Sequence, residues 1–189
     1  MDRRAAEAAI ADFLRALDRD PAREPELVGT PARVVEAFAD ELLRGYGVDL
    51  AALVAGGSTD ATTSPGGVVA LRDISVATVC PHHLMPGLGR ANVVYKPGAR
   101  VLGLGAIARV VDACARRLAL QETIAEDVVK AFLAHAGARG AYCEITLVHG
   151  CLSARGACQA NARATSFARS GELSETEVLL ALGRGAITP

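Results

Sequence analysis

Three short stretches of this 189-residue chain carry side chains able to do chemistry: Cys80-Pro81-His82-His83, His149-Gly150-Cys151 and, just behind, Arg155-Gly156. Two cysteines and a histidine can hold one zinc ion and leave a fourth coordination position open. An open position is what separates a catalytic zinc from a structural one. A lone cysteine is ordinarily a small buried hydrophobe. Here, however, three of the four histidines stand within three residues of Cys80 or Cys151. That clustering favours a metal, and three protein ligands leave room for a water whose pKa zinc lowers toward neutrality.

The other candidates read as packing. Cys114 falls on the apolar face of a helix, and Cys143 lies mid-strand. Cys158 follows the Arg155-Gly156 turn. His135 stands near a helix end, where positive charge suits the helix dipole.

Several elements must position these residues. Ile10, Phe13, Leu14 and Leu17 share one face of a helix expected over Arg4 to Leu17. Thr30 is placed to cap a second helix, with Pro31 at its first position, and Val34, Val35, Phe38, Leu42 and Leu43 continue its apolar side. Residues 1–55 thus read as a helical segment, and residues 56–67, rich in Gly, Ser and Thr, as a loop. Residues 68–189 read as the catalytic domain. In it, Val68 to Val79 is a β-branched strand, and Ala91 to Tyr95 returns after Pro86-Gly87-Leu88-Gly89. Two helices follow, through Ile107, Val110, Val111, Cys114 and Leu118, then Ile124, Val128 and Phe132. Strands over Tyr142 to Val148 and Ala160 to Phe167 precede a helix over Glu175 to Leu182. The order implies an α+β fold, an antiparallel four-stranded sheet with a helical pair on one face. Cys80 then ends a strand, and Pro81 turns the chain to lift His82 and His83 from the sheet. His149 and Cys151, two residues apart, face one side if their strand continues.

The formal net charge is −1, which gives no pull toward nucleic acid or a membrane surface. No apolar run approaches the length of a membrane span and no signal core opens the chain, so a cytoplasmic protein is expected. Its five cysteines, an odd count, argue against a disulfide framework in a reducing compartment. Lys96 and Lys130 are the only lysines among the basic residues.

From about Thr30 to Phe167 the chain resembles the GTP cyclohydrolase I family. That family's Cys-Glu-His-His appears as Cys80-Pro81-His82-His83, and its His-x-Cys-x-x-x-Arg-Gly as His149 through Gly156. Its Gly-Leu-Ser-Lys segment with a downstream arginine corresponds to Gly103-Leu104-Gly105-Ala106 and Arg109, and its Val-Gln-Glu-Arg to Leu120-Gln121-Glu122-Thr123. The resemblance implies the T-fold and a toroidal homo-oligomer with active sites between subunits. It also implies that Cys80, His83 and Cys151 ligate Zn2+, and that zinc-activated water attacks C8 of a guanine ring. His149 would protonate the ring nitrogen and His82 would assist proton transfer. Glu122, with backbone help near Gln121, would grip the guanine edge. Arg33, Arg109 and Arg155 would hold phosphates.

The chain departs from the family at the phosphate end. Ala106 stands where the family has lysine and Gly105 where it has serine, and Glu36 takes the place of another lysine. Charge-assisted phosphate contacts are worth roughly 1.5–3 kcal/mol each, and two readings follow: drift, with the helix N-terminus at Gly105 and the arginines still holding a triphosphate, or a substrate with fewer phosphates, such as a nucleoside, a free base or an oxidised guanine. A third reading is a non-catalytic oligomeric binder that keeps zinc as scaffold; the intact His82 and His149 argue against it.

Overall fold

The computed structural model describes residues 1–61 and 67–185, and the chain divides into two units, Met1–Arg44 and Gly45–Pro189. In the first unit, α1 (Arg3–Ala16) begins where the Asp2 carboxylate accepts the Ala5 N–H at 3.0 Å. It packs against α2 (Thr30–Glu36), and Arg3 pairs with Asp40 beyond it. Ile10 and Leu14 are half-buried in this unit, while Phe13 and Leu17 stay exposed. Thr30 is not the cap. Gly29, at φ +77°, takes that place because it adopts the left-handed conformation without steric penalty, and Thr30 becomes the first helical residue. Its hydroxyl accepts from Arg33 Nη2 at 3.0 Å. The expected continuation through Leu42 is a π-helical turn, Ala37–Leu42, rather than more α-helix.

The second unit opens with α3 (Leu50–Gly56), capped by Asp49, whose carboxylate accepts the Ala51 and Ala52 N–H groups. The expected loop over 56–67 is only partly irregular. Gly56 closes α3, and β1 (Ser58–Asp60) pairs antiparallel with β4 (Arg100–Leu102). So short a strand has no periodicity of its own to betray it; its partner, forty residues on, makes it. Residues 62–66 of that loop lie outside the described residues.

The main sheet has the order β2-β3-β5-β6, every pair antiparallel, with β2 (Val69–Val79), β3 (Pro86–Lys96), β5 (Gly140–His149) and β6 (Ala164–Gly171). On one face lie α4 (Leu104–Ala115) and α5 (Gln121–His135). Ile107, Val110, Val111, Ile124, Val128 and Phe132 meet Val93, Tyr95, Ile145 and Leu147 there in a core with no exposure above a per cent or so. At about 25 cal/mol per Å2 of apolar surface, each such side chain contributes roughly 1.5–3 kcal/mol. On the other face, α7 (Glu175–Ala181) packs Val178 and Leu182 over Val94 and Tyr142. Its start is a capping box between Ser174 and Glu177. This is the T-fold layout expected from the sequence.

Pro86-Gly87-Leu88-Gly89 is not the turn the sequence seemed to mark. It is paired strand from its first residue, and the turn is the stretch 80–85. The glycines serve close approach: a Cβ on Gly89 would lie 2.0 Å from the Thr146 carbonyl oxygen of β5. The last strand starts at Ala164, four residues later than expected. Among the described residues, no helix is long and apolar enough to cross a membrane.

Candidate metal and proton-transfer site

Cys80 follows the last residue of β2, and the turn closes on it from both sides. Its N–H donates to the Met85 carbonyl and its carbonyl accepts from Leu84 N–H, each at 2.9 Å. Leu84 sits at φ +53°, a conformation that costs a residue with a side chain about 1–2 kcal/mol. Strain of this kind collects at functional sites. The turn leaves His82 and His83 exposed with rings edge to face, centroids 6.3 Å apart.

The second contribution comes from the end of β5. His149 is its last residue, opposite Gly87 of β3. The strand does not continue, so alternation does not place Cys151. The chain instead coils into a one-turn helix, α6 (Gly150–Ser153), held by Ser153 Oγ donating to the His149 carbonyl at 3.1 Å. Gly150 eases this, since a Cβ there would sit a tight 3.0 Å from the Pro86 carbonyl oxygen. The coil brings Cys151 back to the first turn, and the ligand atoms of Cys80, His83 and Cys151 lie within 4.8 Å of one another.

That spacing suits a single ion. Tetrahedral zinc with bonds of about 2.0–2.3 Å sets its ligands roughly 3.3–3.8 Å apart, a small contraction from what is seen. The donor chemistry agrees. Burial, and then the neighbouring Cys80 sulfur, push the Cys151 thiol up, with Arg155 opposing. A divalent cation beside Cys151 would offset that push and favour its thiolate.

The remaining expected residues fall in different places. Gln121, the first residue of α5, is 5 % exposed. Its Nε2 donates to the carbonyls of Ile145 (2.8 Å) and Ala164 (3.0 Å), and its Oε1 lies 2.7 Å from His149 Nε2. Glu122, next to it, is exposed in the first turn of α5. Arg155 is exposed beyond α6, near enough to Cys151 to act on its thiol. Arg109 is exposed on α4. Arg33 belongs to the first unit. The other cysteines are as expected. Burial pushes Cys114 up to about 12 and Cys143 higher still, so neither thiol ionises readily, and Cys158 is exposed at φ +52°. Sequence reasoning missed Gly87, Gly150 and the bond from Gln121 to His149. The glycine pairs were visible, but only the register of β3 on β5 says what crowds them.

The chain matches the family model described as GTP cyclohydrolase I over residues 6–181. It is 41% identical to the GTP cyclohydrolase 1 of Leifsonia xyli subsp. xyli, over 98% of this chain and 97% of that protein. It is 36% identical to that of Allorhizobium ampelinum over 90% of this chain and 83% of the other. To that of Deinococcus radiodurans it is 38% identical, over 87% and 74%. Among solved structures it is similar to an archaeosine synthase, QueF-Like, in the apo form, at 20% identity and a TM-score of 0.48 over 59% of this chain and all of that one.

Proposed function

Since the chain belongs to the GTP cyclohydrolase I family, we propose that it is a zinc-dependent hydrolase that opens the imidazole ring of a guanine-type purine at C8. The observation that carries the reading is the convergence of Cys80, His83 and Cys151 beside the end of β5, where His149 is tied to the start of α5. Zinc bound by those three residues would supply a nucleophilic water at neutral pH and a Lewis acid. The chain's own residues do the rest. His149, when its ring carries both protons, delivers one to the ring nitrogen, so that C8 becomes electrophilic. His82, exposed beside His83, exchanges protons with solvent. Glu122 accepts the N1–H and 2-amino N–H of guanine, two parallel charge-assisted bonds that fix the ring. Arg109, Arg155 and Arg33 are the cations available for phosphate.

A second reading concerns the substrate's far end. Ala106, standing where the resembled segment carries lysine, is 2 % exposed and faces Gly57, whose Cβ, if present, would lie 2.4 Å from that of Ala106. A cation at this position would have to be buried. That supports a substrate with fewer phosphates, such as a nucleoside, a free base or 8-oxoguanine. We further propose a toroidal homo-oligomer with sites between subunits; among the described residues, β6 pairs only with β5, and β2 meets, besides β3, just a single bridge from Val79 to Leu118.

Zinc-loaded protein incubated with GTP, GMP, guanosine, guanine and 8-oxoguanine separates these readings by purine absorbance and product mass. A pterin formed rapidly from GTP establishes the triphosphate substrate. Ring opening of a phosphate-poor purine alone establishes the second reading. No turnover of any purine, with zinc bound, would leave an oligomeric zinc binder.

A further inference from the structure

We infer that Gln121 is a positioning residue: its side-chain amide fixes the orientation and the tautomer of the His149 imidazole instead of reaching substrate. The inference rests on the proton-transfer role proposed for His149, but its geometry stands by itself.

An amide side chain can usually be turned end for end, and its oxygen and nitrogen exchanged. Here the surroundings forbid it. Ile145 and Ala164 present carbonyl oxygens, which only accept, at 2.8 and 3.0 Å. The end facing them must be the NH2, and both its protons are used. The oxygen therefore faces His149, 2.7 Å from Nε2. An amide oxygen carries no proton, so Nε2 must donate. In the neutral ring the lone pair then belongs to Nδ1.

The other side of the ring faces β3. Nδ1 lies 3.4 Å from where a Cβ of Gly87 would be, and Gly87 is the residue opposite His149 in the ladder. The missing side chain leaves that nitrogen uncrowded. The amide also spans two strands, since Ile145 belongs to β5 and Ala164 to β6. Gln121 is thus held by main-chain atoms of the sheet and passes that fixity to the imidazole. With both amide hydrogens and the oxygen committed, the side chain has little left for a ligand. Contact with substrate falls to the main chain of this segment and to Glu122.

The test uses full-length, zinc-loaded protein labelled with 15N in its four histidines, His149→Ala supplying the assignment. The ring-nitrogen shifts of His149 should report Nε2–H with a bare Nδ1. Gln121→Met keeps the length and removes all three bonds. It should mix the tautomers and lower kcat about tenfold or more, with KM and bound zinc changed little, in line with outer partners of catalytic imidazoles. An Nδ1–H tautomer in the unaltered protein would overturn the inference, as would a Gln121→Met variant with the original shifts and kcat. If Gln121→Met fails to fold, the spectrum of the unaltered protein still decides. Full activity in His149→Ala would instead remove the proton-transfer role, and leave the tautomer result intact.

Discussion

At the scale of single residues, Cys80 and Cys151 have no substitute. Replacing either with serine removes a thiolate and leaves two protein ligands. Zinc per chain, measured by plasma mass spectrometry on dialysed protein, should fall from near one to near zero. Activity should fall roughly 100-fold or more, beyond the 10–100-fold typical of residues that only support a ligand. Gly87 offers a finer probe. A Cβ there meets Thr78 Cγ2 at 3.2 Å and both His149 Nδ1 and Leu147 Cδ1 at 3.4 Å. The first methyl is tight, and a branched side chain has nowhere to go. Gly87→Val should therefore lower kcat about tenfold through displacement of the imidazole, as for any outer support of a catalytic ring. Bound zinc should stay at the original level, and a variant with unchanged kcat would count against this geometry.

At the scale of elements, a buried carboxylate helps tie the sheet to the C-terminal segment. Glu144 of β5, 7 % exposed, accepts from both Arg184 Nη atoms at 2.7 Å, from Asn92 Nδ2 and from the Tyr142 hydroxyl. Arg184 first, then Asn92 and Tyr142, hold its carboxyl down at about 2 against an ordinary 4.5, despite burial. A depressed folded pKa means stability that is whole above the ordinary carboxylate range and lost as pH falls from about 4.5 toward 2. Arg184→Ala should thus cost about 1–3 kcal/mol at pH 7 in urea unfolding. The gap to the parent should narrow as pH approaches 2. A gap independent of pH would place the effect in packing.

The same elements show what the sequence could and could not convey. The helical pair α4 and α5 and the long strands were legible because burial on one face writes a period into the residues. So was the grouping of Cys80, His83 and Cys151, since metal chemistry needs particular residue types. Cys151 was found for a reason that proved wrong: not strand alternation but a helical turn after Gly150 returns it to Cys80. The glycines of Pro86–Gly89 were misread because a glycine that admits a neighbouring backbone looks, in one dimension, like a glycine that turns. Gln121 was placed at the guanine edge and its bond to His149 went unseen, for its partners Ile145 and Ala164 are 24 and 43 residues away.

At the scale of the molecule, two edge strands and the proposed assembly belong together. An open strand edge with unpaired N–H and C=O groups invites another chain. Light scattering behind size exclusion should give a mass several times 19.5 kDa. A monomeric parent would end the proposal. Zinc removal should act differently. A strong chelator should abolish turnover and lower Tm by only a few degrees, because the core between α4, α5 and the sheet does not include Cys80, His83 or Cys151.

The pairing of Gly87 with His149 in the β3–β5 ladder bears on which genetic lesions the chain can survive. Side chains alternate faces along a strand, so losing or gaining one codon within 86–96 or 140–149 turns everything beyond it to the opposite face. Such a lesion would send the histidine away from the thiols even where the sheet still forms. Codons added beside residue 61, past the end of β1, would disturb no pairing of the main sheet. Length variation among descendants of this gene should accordingly gather in the second place and be purged from the first.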